Sequence, residues 1–227
     1  MVLGRVIARR SEAAAALAAL ALVPVASVPA ASTSGNGCPF LSTSNVLIAM
    51  GEPDANPTLT YEQTTRALSH GTFGYTHCTA VNEGGANAIN IGASVMSFRG
   101  GVDLSKANAG VRQLCSDAMG ALEAADAHAC QLLLKADDTT NLKAKLHLLF
   151  LAFSELGSAF RLGPGFGFHQ PAFEASPTKA YGSSVWVLLE RSERLLYVNC
   201  FDTSSGPKGR NGACARAIAR AATSNLT

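Results

Sequence analysis

Between positions 104 and 136 apolar residues return every three or four places: Val111, Leu114, Cys115, Met119 and Leu122. That is the period of a helix with one buried face. A second such run spans Asn141 to Arg161, with Leu142, Leu146, Leu149, Phe150, Phe153 and Leu156 on its inner side. Asp137 to Thr140 supplies the turn and cap between them, so an antiparallel helical hairpin is expected to hold the core. Thr58 to Ser69 also has helical spacing, with Thr58 or Thr60 as its cap. Ala88 to Phe98 is apolar and partly alternating through Ile89, Ile91, Ala93 and Val95, a pattern that suits a buried strand or a buried helix. Val185 to Leu189 and Leu195 to Phe201 are β-branched or aromatic runs around Glu190–Glu193, the signature of a β-hairpin.

The remaining stretches read as connections. Ala31 to Asn36 is a mobile polar lead-in, Val46 to Met50 an apolar turn, and Gly163 to Ser184 a long loop rich in Gly, Pro, Phe and Ser. Ala213 to Ala222 makes a last small helix with Arg216 and Arg220 on one face. The expected fold is α+β and helix-rich, with the helical hairpin packed on a small antiparallel β-hairpin.

The first thirty residues have a different character. Arg5, Arg9 and Arg10 precede an almost wholly apolar run from Ala13 to Val25, followed by the small residues Ala26 to Ala30. That order is the mark of a cleavable export signal. Residues 31–227 then form one domain, a common size for a single core. The formal net charge of +2 resides in the leader, where three arginines face Glu12 alone. A neutral mature chain lacks the long-range field that draws proteins to nucleic acid. No later segment offers the roughly 18 consecutive apolar residues of a membrane span.

The six cysteines, Cys38, Cys78, Cys115, Cys130, Cys200 and Cys214, all follow the leader. An even set in an exported chain implies disulfides. On one unbroken helix Cys115 and Cys130 would stand about 22 Å apart at about 1.5 Å per residue, far beyond the roughly 7 Å that a disulfide tolerates. They pair only if the chain turns back, and Gly120 is the obvious place. Cys200 and Cys214 close a short polar loop, which leaves Cys38 for Cys78. Zinc is the rival reading, but no Cys-x-x-Cys pair is present.

Strong catalytic signatures are missing: no His-Glu-x-x-His, P-loop, dinucleotide fingerprint or nucleophile elbow. Nothing implies a cofactor. His70 and His77 flank a Gly-rich turn beside Cys78 and offer a metal or acid–base role, beside the plainer one of solvated loop histidines. Two carboxylates stand out by placement, Glu62 before the Gly-rich segment and Glu83 within the turn Val81-Asn82-Glu83-Gly84-Gly85. Paired carboxylates across a cleft are what glycoside hydrolysis uses, one as acid and one to activate water or attack.

Glu62, then Phe73-Gly74-Tyr75, then Glu83-Gly84-Gly85, then Ile89 to Gly92, and later Gly163-Pro164-Gly165 follow one another in an order that resembles the lysozyme-like chitosanases, secreted glycoside hydrolases. The resemblance covers about half of the mature chain, and Glu83 stands where that family carries Asp. It implies Glu62 as general acid, Glu83 as the base of an inverting hydrolysis, Asn82 or Thr79 orienting water, and Tyr75, Phe166, Phe168 and Trp186 as candidate sugar-stacking residues, with core packing the plainer account of Trp186 inside a strand. The implied partner is an amino-sugar polysaccharide. A secreted, disulfide-stabilised binding protein without catalysis fits the same composition.

Overall fold

Thr58, Thr60, Thr64 and Thr65 are β-branched, stiff at χ1 and suited to a pleated surface. Leu59 and Tyr61 alternate with polar neighbours between them. The segment expected as a helix is therefore a strand. A computed structural model of the chain describes residues 31–51, 57–68, 71–81, 91–99, 115, 124–155, 159–175, 183–202 and 210–227. The expected leader, His70, Asn82, Glu83 and Gly120 lie outside the described residues.

Strands β1 (Ala31–Asn36), β2 (Thr58–Leu68), β3 (Gly71–Val81) and β4 (Ile91–Arg99) form one antiparallel meander. Strands β5 (Ala159–Leu162), β6 (Ala172–Ala175), β7 (Ser183–Leu189) and β8 (Arg194–Asp202) form a second. β4 pairs with β8, and the result is a single eight-stranded sheet in the order β1-β2-β3-β4-β8-β7-β6-β5. Helix α1 (Thr43–Met50) lies between β1 and β2, α2 (Ala124–Asp138) and α3 (Leu142–Glu155) between β4 and β5, and α4 (Arg210–Leu226) after β8.

The α+β class and the β7–β8 hairpin agree with the sequence reading, but the frame is the sheet rather than the helical pair. Ala31–Asn36 is an edge strand, because β2 offers it a complete ladder from Ala31↔Thr65 to Asn36↔Thr60. Val46 to Met50 belongs to a helix. Ser42 caps it through a reciprocal pair with Asn45, and Gly51 closes it in the left-handed conformation, φ 68°. The second helical run stops at Glu155, and Ala159–Leu162 turns into strand. The expected long loop carries β6, since Phe173 finds a partner position opposite Trp186.

Helices cover both faces of β6 to β8, so alternate residues of each strand enter different cores. Val185, Val187 and Leu189 of β7, with Leu196, Val198 and Cys200 of β8, pack with Val46 and Met50 of α1 and with Ile218, Ala219 and Ala222 of α4. Trp186, Leu188 and Leu195 face the other way, onto Leu133 and Ala136 of α2 and Leu146, Leu149, Phe150 and Phe153 of α3. β7 consequently reads as a continuous apolar run, as expected of a strand buried on both sides. α2 and α3 are antiparallel, since His128 near the start of one meets Glu155 at the end of the other at 2.6 Å. Asn225 of α4 donates to the Phe40 carbonyl at 3.0 Å and ties the last helix to the β1–α1 link.

Trp186 is the centre of the second core. Its ring stacks on Phe153 at 4.7 Å, packs against Tyr197 at 4.5 Å and lies 6.1 Å from Phe173. A core role for this tryptophan is what its place inside a strand suggests. The three disulfides are Cys38–Cys78, Cys115–Cys130 and Cys200–Cys214, with Cα separations of 5.7, 5.6 and 6.1 Å. Cys115 thus lies far closer to Cys130 than one straight helix would allow.

Two stability changes follow from this packing. Trp186→Ala should lower the unfolding free energy by about 3–5 kcal/mol, read from denaturant midpoints at unchanged slope. Replacing Cys38 and Cys78 together by Ala opens a loop of 40 residues and should cost about 4 kcal/mol on the chain-entropy estimate.

Candidate active site

The register of the sheet builds the candidate site. Glu62 on β2 stands opposite His77 on β3, and directly paired residues share a face. His77 is opposite Met96 of β4, Met96 is opposite Tyr197 of β8, and Tyr197 is opposite Trp186 of β7. This row therefore runs along the face that carries α2 and α3. On the β1 side it continues to Ser34. A neighbouring row on the same face joins Asn36, Thr60, Thr79, Ser94, Asn199 and Ser184.

Exposure falls from β1 and β2 to β7 among the row members whose burial is described. Ser34 and Glu62 are exposed, His77 and Tyr197 half-buried, and Trp186 buried. Asn36 and Thr60 are exposed, Thr79 and Asn199 half-buried, and Ser184 buried. The rows make a polar floor that is open to solvent at β1 and β2 and closes towards the helical pair. Three reasons place chemistry at its middle. His77 sits there with Glu62 on its open side, hydroxyl groups flank them, and water is partly removed around His77.

His77 Nε2 lies 3.4 Å from the Thr79 hydroxyl, two residues along the same strand. Burial lowers the His77 pKa from its ordinary value of 6.5, and the nearby Glu62 carboxylate opposes that shift without reversing it. At neutral pH the imidazole is mainly uncharged and able to accept a proton. Burial raises the Tyr197 pKa, while hydrogen bonds with Asn199 and Ser184 pull the other way. Its phenol keeps its proton and belongs to a fixed hydroxyl–amide cluster. Ser184 is anchored in turn by donating to the Ala175 carbonyl at 3.2 Å.

Glu62 is thus on a strand, where a helix was expected. Tyr75 belongs to β3, opposite Thr64 and Phe98. Phe166 is at the surface, 39% exposed, in a short 3₁₀ turn (Pro164–Phe166), far from Glu62 on the sheet. Phe168 is 2% exposed and belongs to the core beside α4, so its ring is not presented to a ligand. The other described histidines have separate surroundings: His128 pairs with Glu155, His147 lies 3.9 Å from Glu190, and His169 is exposed. Among the described residues no group of three or more His, Cys, Asp or Glu side chains is placed to hold a metal ion. No helix among them is long and apolar enough to cross a membrane.

Sequence reasoning missed the partnership of Glu62 with His77 and the contribution of Tyr197, Asn199 and Ser184. The alternation of Leu59 and Tyr61 with Thr58, Thr60 and Glu62 was the available signal for a strand, and a strand would have set Glu62 on the polar side. Comparison of the chain with protein-family models, curated proteins and solved structures finds no match. The site is therefore read from its own chemistry.

The His77 shift has a testable sign. A histidine whose folded pKa is depressed adds stability above its unfolded pKa, and that contribution is lost as pH falls through the folded one. Denaturant midpoints should drop between about pH 7.5 and pH 5, and the drop should be shallower in His77→Gln. Parallel pH profiles for the two proteins would show that His77 does not titrate differently on folding.

Proposed function

We propose that the chain is a secreted hydrolase whose proton transfers centre on Glu62 and His77. The observation that carries the reading is their pairing across β2 and β3, at the point where the polar floor passes from open to half-buried. Its chemistry is general acid–base catalysis, typically worth about 10²- to 10⁴-fold. Neutral His77 takes a proton from water, and the Glu62 carboxylate favours the imidazolium that results. The water oxygen bonds to the substrate carbon, the bond from that carbon to the leaving oxygen breaks, and His77 returns the proton to that oxygen. Thr79 and Asn199 supply hydroxyl and amide groups suited to a polyhydroxyl substrate.

The specific form that the chitosanase resemblance implies is inverting cleavage of an amino-sugar polysaccharide, with Glu62 as acid and Glu83 as base. In that form the two carboxyls lie about 6.5–9.5 Å apart. The two schemes differ in pH behaviour. With His77 as base, activity rises with pH through the His77 pKa. With Glu62 and Glu83 as acid and base, activity does not depend on the protonation state of His77. A second reading, a secreted binding protein without catalysis, is favoured by a pair of exposed aromatic rings at the far edge of the sheet.

Purified residues 31–227 incubated with chitin, chitosan and peptidoglycan fragments should release new reducing ends. Glu62→Gln should reduce the rate by about 10²-fold or more under either scheme. His77→Gln should do the same only if the imidazole is the base. Absence of cleavage on all three substrates would sink the hydrolase reading and leave the binding protein.

A further inference from the structure

Phe160 and Phe166 are two of the three large apolar side chains exposed among the described residues, at 55% and 39%. They touch, edge to face, with ring centroids 5.4 Å apart and planes at 85°. Phe160 comes from the edge strand β5 and Phe166 from the turn that follows it.

The pair is held from beneath by a chain of polar contacts. Ser183 donates to Glu174 at 2.8 Å, and Glu174 accepts from Arg216 of α4. The Arg216 guanidinium carbon then sits 5.7 Å from the centre of the Phe166 ring, within cation–π range. One turn further along α4, Arg220 donates to the Phe166 carbonyl at 3.0 Å. Its stem packs so closely against Gly167, at φ 78°, that a Cβ there would meet the Arg220 Cδ at 2.8 Å. Turn hydrogen bonds from the Phe166 and Gly167 amides, and burial of Phe168, complete the support. The rings are therefore exposed and pre-positioned, an arrangement that lowers the ordering cost of binding.

We infer that Phe160 and Phe166 form an aromatic platform for one pyranose ring of a neutral or acidic polysaccharide, one phenyl ring lying against its C–H face and the perpendicular one meeting its rim, with Arg220 reaching its polar edge. A pyranose has what the surface asks for, an apolar C–H face rimmed by oxygen acceptors. A protein partner fits poorly. Aromatic side chains bury about 150–250 Å² each, and these two, part-covered already, leave on the order of 200 Å² in total. A stable interface takes about 800 Å² per partner. Protonated chitosan is disfavoured, because Arg220 presents like charge.

The platform is on the α4 side of the sheet and six strand positions from β2, roughly 30 Å at about 4.8 Å per strand. It is an anchoring site separate from the Glu62–His77 row. The inference borrows from the proposed function only that the ligand is a carbohydrate, and its test reads binding instead of cleavage.

The test is retention of the purified 31–227 protein on insoluble chitin and its retardation in gels containing polygalacturonate, against chitosan at acid pH. Retention on chitin or retardation by polygalacturonate is expected, the first marking a neutral ligand and the second an acidic one. Phe160→Ala should weaken that binding by about tenfold or more, with unchanged circular dichroism and melting temperature. Phe160→Tyr should keep it. Binding to neither polymer, equal binding by Phe160→Ala, or preference for chitosan would overturn the inference. So would a wild-type dimer in solution that Phe160→Ala converts to monomer.

Discussion

The antiparallel seam between β4 and β8 joins two meanders that share no other strand pairing among the described residues. It runs through nine paired positions, from Ile91↔Asp202 to Arg99↔Arg194. Because side chains alternate, its register decides which face every residue of β8 meets. A slip of one residue would send Tyr197 and Asn199 into the α4 core and bring Val198 to the polar floor. The partners in this seam are about a hundred residues apart in sequence, separated by the whole helical pair. Such long-range pairing closes late and slowly. The continuity of the polar rows, and hence the candidate site, depends on it.

Much of the architecture was written in local pattern. The α3 face, the β7–β8 hairpin and the last helix are strongly periodic or β-branched, and each formed close to where its residues indicated. The disulfide partners followed from chain geometry. What escaped was decided by neighbours distant in sequence. Ala31–Asn36 is too small and polar to announce a strand, and only the ladder offered by β2 makes it one. Thr58–Leu68 carries both a helical spacing and a two-residue alternation, and pairing on both sides selects the second. His77 looked like a loop histidine because its partner Glu62 lies fifteen positions away with a turn between. The role of Glu62 as a candidate was legible as a carboxylate on its own, but its setting was not.

Buried and half-buried charge is distributed unevenly over the two faces. On the α4 side the Glu174–Arg216 pair is largely removed from water, with side-chain exposures of 12% and 27%. Replacing such a pair by apolar residues is often neutral or stabilising, so stability alone is a weak account of it. Its geometric effect is clearer, because Arg216 fixes the ring of Phe166 while Gly212 gives Glu174 room. A Cβ at position 212 would come within 2.4 Å of the Glu174 carboxylate, so a larger residue there would push that carboxylate aside. On the opposite face lie the polar rows that include Glu62, His77, Thr79 and Asn199. They form a graded surface in which a proton donor and acceptor meet solvent.

The disulfides close loops that neither nest nor overlap: Cys38–Cys78 falls within the first meander and its approach, Cys115–Cys130 within the connector, and Cys200–Cys214 between β8 and α4. None of them bridges the seam. Fully oxidised chains therefore keep a non-covalent parting line down the middle of the sheet. Two molecules opened there would each expose a β4 edge and a β8 edge, and each edge is the complement of the other molecule's. Covalent cross-linking in this protein stiffens the parts while leaving reciprocal exchange between molecules open, at a rate set by hydrogen bonds and side-chain packing alone.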